Sequence, residues 1–131
     1  MWSKTKVFIS FDFDNDKFIK DMMVKQARLP HSPFEISDWS MKEAAPERNW
    51  QAKARERIKR CDVVMIMLGP NTWRAPGVLK EIAIAIQEGV KRIQVIGYRD
   101  REYTPIPGGG QLYRWTWDNL ERALAPERYR Y

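Results

Sequence analysis

Apolar residues in this chain follow two patterns that take turns along it. In one they form short unbroken runs; in the other they recur every three or four positions among charged residues. Lys6 to Ser10 (KVFIS) begins the first pattern, short, β-branched and aromatic, as in a strand covered on both faces. Asp14 or Asn15 then offers an N-cap to a helix carrying Phe18, Ile19, Met22 and Met23 at helical spacing. That helix has to stop before Leu29-Pro30-His31-Ser32-Pro33, whose prolines remove donors and disfavour helix in the residues preceding them. Phe34 to Ile36 reads as a second strand, and Asp38 to Pro46 as a loop.

Pro46 suits a first helical turn, with Glu47 favourable at the positive end of the helix dipole. Trp50, Ala54, Ile58 and Cys61 then make an apolar stripe on an otherwise charged helix. Asp62 to Leu68 (DVVMIML) is apolar without alternation, which predicts a central strand. After a loop from Gly69 to Pro76, Val78, Leu79, Ile82, Ala83 and Ile86 predict one apolar helix face, with Gly89 as its C′ stop. Arg92 to Tyr98 gives a fourth strand. Arg99 to Gln111, with Pro107-Gly108-Gly109-Gly110, has no regular pattern. Leu112 to Trp115 predicts a fifth strand, and Trp117 to Leu124 a last helix capped by Thr116.

Strands separated by helices imply parallel units joined by right-handed crossovers. The expected fold is therefore α/β: a flavodoxin-like three-layer α/β/α sandwich on a five-stranded parallel sheet. At 131 residues, with no repeat and no linker, the chain reads as one domain over residues 1–131.

Composition narrows the setting. No stretch approaches the roughly 18 consecutive apolar residues of a membrane span, and the N-terminus lacks the order of a signal peptide. Cys61 is the single cysteine, so no internal disulfide can form; it reads as a buried, inert thiol in a cytoplasmic protein. The net charge of +6 is spread among acidic residues, with Lys53 to Arg60 as the one basic cluster. A solubilising surface is the expectation, and nucleic acid is not an expected partner.

Ligands of open parallel sheets bind outside the carboxyl ends of the strands, so the loops beginning at Phe11, Asp38 and Gly69 carry the chemistry. A phosphate-binding GxxxxGK[ST] loop is absent, and the first turn, FDFDND, has no glycine for a dinucleotide fingerprint. Phe11 and Phe13 are too bulky for a flavin phosphate loop. A phospho-accepting receiver needs an aspartate where this chain has Leu68-Gly69-Pro70. Asp12, Asp14 and Asp16 open like a calcium loop, but Lys17 stands where glycine is needed and Met23 where a glutamate belongs, so no metal site is expected. His31, the single histidine, lies between prolines.

An aromatic edge with one well-placed carboxylate is left. Trp39 and Trp73 follow the second and third strands beside Phe11, and such rings either plug gaps or sandwich a flat heterocycle. Glu81 falls about 120° from the centre of its helix's apolar stripe, at about 100° per residue. It is either a surface glutamate complementing the helix dipole or a functional carboxylate near the ligand edge.

The ordered segments KVFISFDFDND, SDWSMKEAAPERNW and CDVVMIMLGPNTWRAPGVLKEI resemble those of TIR-like domains, over roughly residues 5 to 124. The likeness is strongest to the short bacterial TIR-like proteins of the Thoeris anti-phage system. It implies an enzyme cleaving the nicotinamide–ribose bond of NAD, with an ADP-ribose-derived product serving as a signal. It implies Glu81 as the catalytic residue, Ser10, Phe11 and Asp12 bordering the substrate, Trp39 in a mobile loop and Trp73 walling the pocket. NAD enters as substrate, with no separate cofactor and no metal.

Other TIR domains are scaffolds that assemble with copies of themselves or other TIR-like domains. For that alternative, Ile84 is expected on the solvent side of its helix and Trp115 and Trp117 at the surface. A nucleoside deoxyribosyltransferase relative would share the topology but use the glutamate as a nucleophile.

Overall fold

A computed structural model describes residues 3–42 and 47–126, with Glu47 described in its backbone only. The strands are β1 (Thr5–Ser10), β2 (Phe34–Trp39), β3 (Val63–Leu68), β4 (Lys91–Ile96) and β5 (Gln111–Arg114). The helices are α1 (Lys17–Ala27), α2 (Glu47–Lys59), α3 (Pro76–Gln87) and α4 (Trp117–Leu124), and a 3-10 turn at Thr72–Arg74 precedes α3. All four strand pairings are parallel, in the order β2-β1-β3-β4-β5. This is the flavodoxin-like α/β sandwich, whose strand order reverses between β1 and β3.

The alternation of side chains across the sheet divides the core in two. Val7, Ile9, Met65, Met67, Ile93 and Val95 face α1 and α4, while Phe8, Val64, Ile66 and Leu68 face α2 and α3. Every residue of β3 is buried, as an apolar strand without alternation requires. Trp50, Ala54, Ile58 and Cys61 are buried together along α2 and just beyond it. Thr116 caps α4 by accepting a hydrogen bond from the Asn119 amide at 3.1 Å, and Gly89 ends α3 with φ at 69°. Pro46, with the other residues between Lys42 and α2, lies outside the described residues.

Three local expectations are corrected. First, β2 continues past Ile36 to Trp39. Second, the N-cap of α1 is Asp16, not Asp14 or Asn15, and its carboxylate turns inward instead of capping. On that helix Ile19, Met23 and Ala27 form the buried stripe, while Phe18 and Met22 face outward.

The third correction concerns α3. Its buried residues are Val78, Glu81, Ile82, Ile84 and Ala85, whereas Leu79, Ala83 and Ile86 are exposed. The buried face is turned about a third of a turn from the stripe the spacing predicts, counting about 100° per residue. The cause is a second neighbour: α3 packs on α2 as well as on the sheet. Arg55 of α2 donates to Glu88 at 2.5 Å and to Gln87 at 2.6 Å, tying α2 to the end of α3. Ile84 is thus core and not a partner surface.

The irregular stretch between β4 and β5 is pinned from beneath. Gln94 is buried, accepts from the Ile106 amide at 2.7 Å, and donates to the Gly110 carbonyl at 2.9 Å. Gly110 has φ at 82°, and a Cβ there would fall 1.8 Å from the Arg92 carbonyl oxygen, so only glycine fits. Among the described residues, no helix is long and apolar enough to cross a membrane.

Candidate active site

β1 and β2 leave the sheet side by side, and a β-bulge decides which residues emerge together. Val7 pairs with Ile36 but Phe8 pairs with Asp38, so Ser37 is an extra residue in β2. From there the register runs Ile9 to Trp39, which brings Ser10 level with Ser40. Both serines are buried on the α3 side of the sheet.

Glu81 occupies the second turn of α3, and helical side chains lean toward the N-terminus of their helix. Its side chain therefore reaches the carboxyl end of the sheet, only 1% exposed. Ser10 Oγ donates to Glu81 Oε1 at 2.6 Å, and Ser40 Oγ donates to the same oxygen at 2.5 Å. The Phe11 amide in turn donates to Ser40 Oγ at 3.1 Å, and the Ser40 amide to the Ile9 carbonyl at 2.8 Å. The carboxylate is thus held by two hydroxyls, one of them fixed by the backbone of β1. Short hydrogen bonds to a charged acceptor are the stronger kind, and here they orient the group.

Above this cluster lies an open cleft of about 260 Å³. Glu81 and Ser40 meet it from below; Phe11, Phe13 and Trp50 give it apolar walls; Asp12, Asp14 and Lys42 bring charge to its edge, the last two paired at 3.5 Å. Ala75, Pro76 and Gly77 bring the start of α3, which no side chain caps, to the same cleft. Phe11 and Phe13 lie with ring centroids 5.9 Å apart. Trp50 is fixed by donating its indole N–H to the Met41 carbonyl at 3.2 Å. Asp12 accepts from Asn15 at 2.7 Å.

The residues expected to form a site are thus only partly brought together. Glu81, Phe11 and Asp12 line the cleft, and Ser10 lies directly beneath it, bonded to Glu81. Trp39 is the last residue of β2 and sits on the α1 face, under the Lys20 ammonium at 4.6 Å from its ring. Trp73 stands on the 3-10 turn, 46% exposed, and is not among the residues lining the cleft. Ser40, Trp50, Phe13 and Lys42 also line the cleft, and the sequence alone assigns none of them to a site. A tryptophan on an apolar helical stripe reads as core, and Trp50 is both core and wall.

A second carboxylate lies at the same end of the sheet on the α1 side. Asp16 is 1% exposed and accepts from Tyr98 Oη at 2.8 Å, and its Oδ2 has no hydrogen-bond partner among the described residues. The nearby Thr72 hydroxyl is directed to the Gly69 and Met67 carbonyls, at 3.3 and 3.5 Å. Burial raises the Asp16 pKa above its ordinary value, outweighing the Tyr98 bond that lowers it. Tyr98 is pushed up to about 12, by burial first and then by its bond to Asp16. Asp16 packs against Gly69, where a Cβ would fall 2.3 Å from Oδ2, so it reinforces the floor and does not open onto the cleft. Among the described residues, no group of three or more His, Cys, Asp or Glu side chains is placed to hold a metal ion.

Among known families, the model of the Thoeris protein ThsB, TIR-like domain, matches residues 8–102, well over half the chain. That span runs from β1 through α3 and β4 and contains every cleft residue named above. No curated protein matches the chain.

Proposed function

We propose that this chain, which belongs to the Thoeris ThsB TIR-like domain family, cleaves the nicotinamide–ribose bond of NAD, with Glu81 as the catalytic carboxylate. The observation that carries this reading is the buried Glu81 carboxylate, oriented by Ser10 and Ser40 at the foot of an aromatic cleft. Breaking a glycosidic bond passes through an oxocarbenium-like state whose positive charge a fixed carboxylate stabilises. Nicotinamide leaves as a neutral molecule, so the step needs no general acid.

At about 260 Å³ the cleft suits a ring and its ribose, not a whole dinucleotide. Phe13, partly exposed at the cleft, offers its ring to the nicotinamide, backed by the buried Phe11 and Trp50. The remaining nucleotide would extend across the open mouth, where the uncapped start of α3 favours phosphate and Lys42 would have to exchange its Asp14 partner for it. The ADP-ribose product, cyclised or hydrolysed, would act as the signal of an anti-phage response.

The test is nicotinamide release from NAD by concentrated protein, followed by chromatography beside the Glu81→Gln variant. Wild-type release with at least about a hundredfold loss in the variant supports the assignment; equal release by both rules Glu81 out.

A further inference from the structure

On the opposite face of the sheet from the Glu81 cleft, α1, the loop after β4 and the start of α4 enclose an open groove of about 1110 Å³. Tyr98, Tyr103, Trp115 and Trp117 line it, together with Met22 and Leu29 from the outer side of α1. The Trp115 indole is held in place by donating to Gln26 Oε1 at 2.7 Å. Met22 is 42% and Leu29 51% exposed, and Phe18, one turn before Met22, is 69% exposed. The apolar surface therefore runs out of the groove along α1, farther than isolated surface residues account for.

Charge in the groove is of one sign. Lys25, Arg99 and Arg114 line it, no carboxylate does so among the described residues, and none of the three cations is in an ion pair there. Asp100 and Glu102 belong to the same loop but do not line the groove.

We infer that this groove docks an acidic, aromatic- or leucine-bearing segment of a partner protein. A second copy of this chain is disfavoured because its net charge is +6 and it would meet like charge. A nucleotide would engage the cations and one or two rings, but leave the continuing apolar strip over Met22 and Phe18 uncovered. The volume also exceeds the roughly 300–1,000 Å³ of small-molecule sites. Aromatic anchors ringed by arginine are the usual composition of an energetic centre in protein interfaces. None of the lining residues is shared with the Glu81 cleft, so this inference does not rest on NAD cleavage.

The intact chain, immobilised, would be panned against a displayed library of random short peptides, and one enriched peptide synthesised. The expected peptides combine Asp or Glu with Trp, Phe or Leu and shift the indole N–H signals of Trp115 and Trp117. Arg114→Glu and Arg99→Glu, both at exposed positions, are each expected to weaken binding about tenfold or more. Lys59→Glu, exposed at the end of α2, makes the same change in net charge and is expected to leave affinity within about twofold. Absence of enrichment, enriched peptides without acidic residues, or equal loss in all three variants would overturn the inference. So would displacement of the peptide by ATP at these indoles, which would mark a nucleotide site instead.

Discussion

Ser40 and Glu81 are joined by a 2.5 Å hydrogen bond across 41 residues of sequence, and Ser10 donates to the same carboxylate oxygen at 2.6 Å. Each hydroxyl therefore stabilises the charge the other also serves. Ser40→Ala and Ser10→Ala are each expected to destabilise the fold by about 1–3 kcal/mol, the range for a buried charged group losing one partner. Because they share an acceptor, the double variant should depart from additivity, and both losses should shrink in a Glu81→Gln background. Urea unfolding of the full set measures this. Simple additivity throughout would mean that the two hydroxyls act on the carboxylate independently.

Asp16 gives the protein a stability slope in acid. Its pKa is raised from 3.8 in the folded chain, chiefly by burial, so between that value and the higher folded value the folded state binds more protons than the unfolded one. The contribution of Asp16 to stability is therefore full below pH 3.8 and falls as pH rises through the folded pKa. Asp16→Asn keeps an acceptor for Tyr98 and removes the titration. Its stability relative to wild type is expected to improve progressively from acid toward neutral pH. Denaturant titrations at a series of pH values would show it, and a constant difference would refute the argument.

Cys61 is buried, and its thiol is pushed up to about 12 by burial, with the charges of Asp38 and Asp62 adding to the effect. The thiolate is the reactive form. Disulfide reagents at neutral pH are expected to leave the native protein unmodified and to label one thiol per chain in denaturant. Fast labelling without denaturant would show that the end of α2 opens readily.

Gln94 ties the loop between β4 and β5 to the sheet. Gln94→Leu would keep the volume but leave the Ile106 amide and the Gly110 carbonyl without the bonds they now make. A loss of about 2–4 kcal/mol is expected from two unsatisfied backbone groups. Thermal unfolding checks the size, and hydrogen exchange at Ile106 checks the location.

Much of this arrangement is legible in the sequence for physical reasons. Strands such as Val63–Leu68 are apolar because both faces are covered, and that pattern is local. The cap at Thr116 and the stop at Gly89 are local too. Where the sequence misleads, the cause is tertiary. Burial of Ile84 depends on α2 lying beside α3, and burial of Glu81 follows from the same rotation of the helix. A carboxylate at the centre of a buried face is tolerated because two serines from distant strands solvate it, and no helical wheel contains those serines. Trp39 and Trp73 attract notice as large aromatics at strand ends, yet neither lines the cleft.

The bulge at Ser37 turns the identity of the residue beside Glu81 into a question of parity. Side chains of a strand alternate between faces, so one additional residue would exchange the destinations of everything after it unless a bulge absorbs it. Ser40 reaches the carboxylate, and Trp39 the opposite layer, because the bulge between Ile36 and Asp38 takes up that increment. Flattening the bulge with Ser37 retained would aim an indole at Glu81 and carry the hydroxyl away, whereas deleting Ser37 would straighten the strand and leave both side chains on their present faces. Along Ile36 to Ser40, it is therefore the local backbone geometry that sets a serine and not a tryptophan beside Glu81.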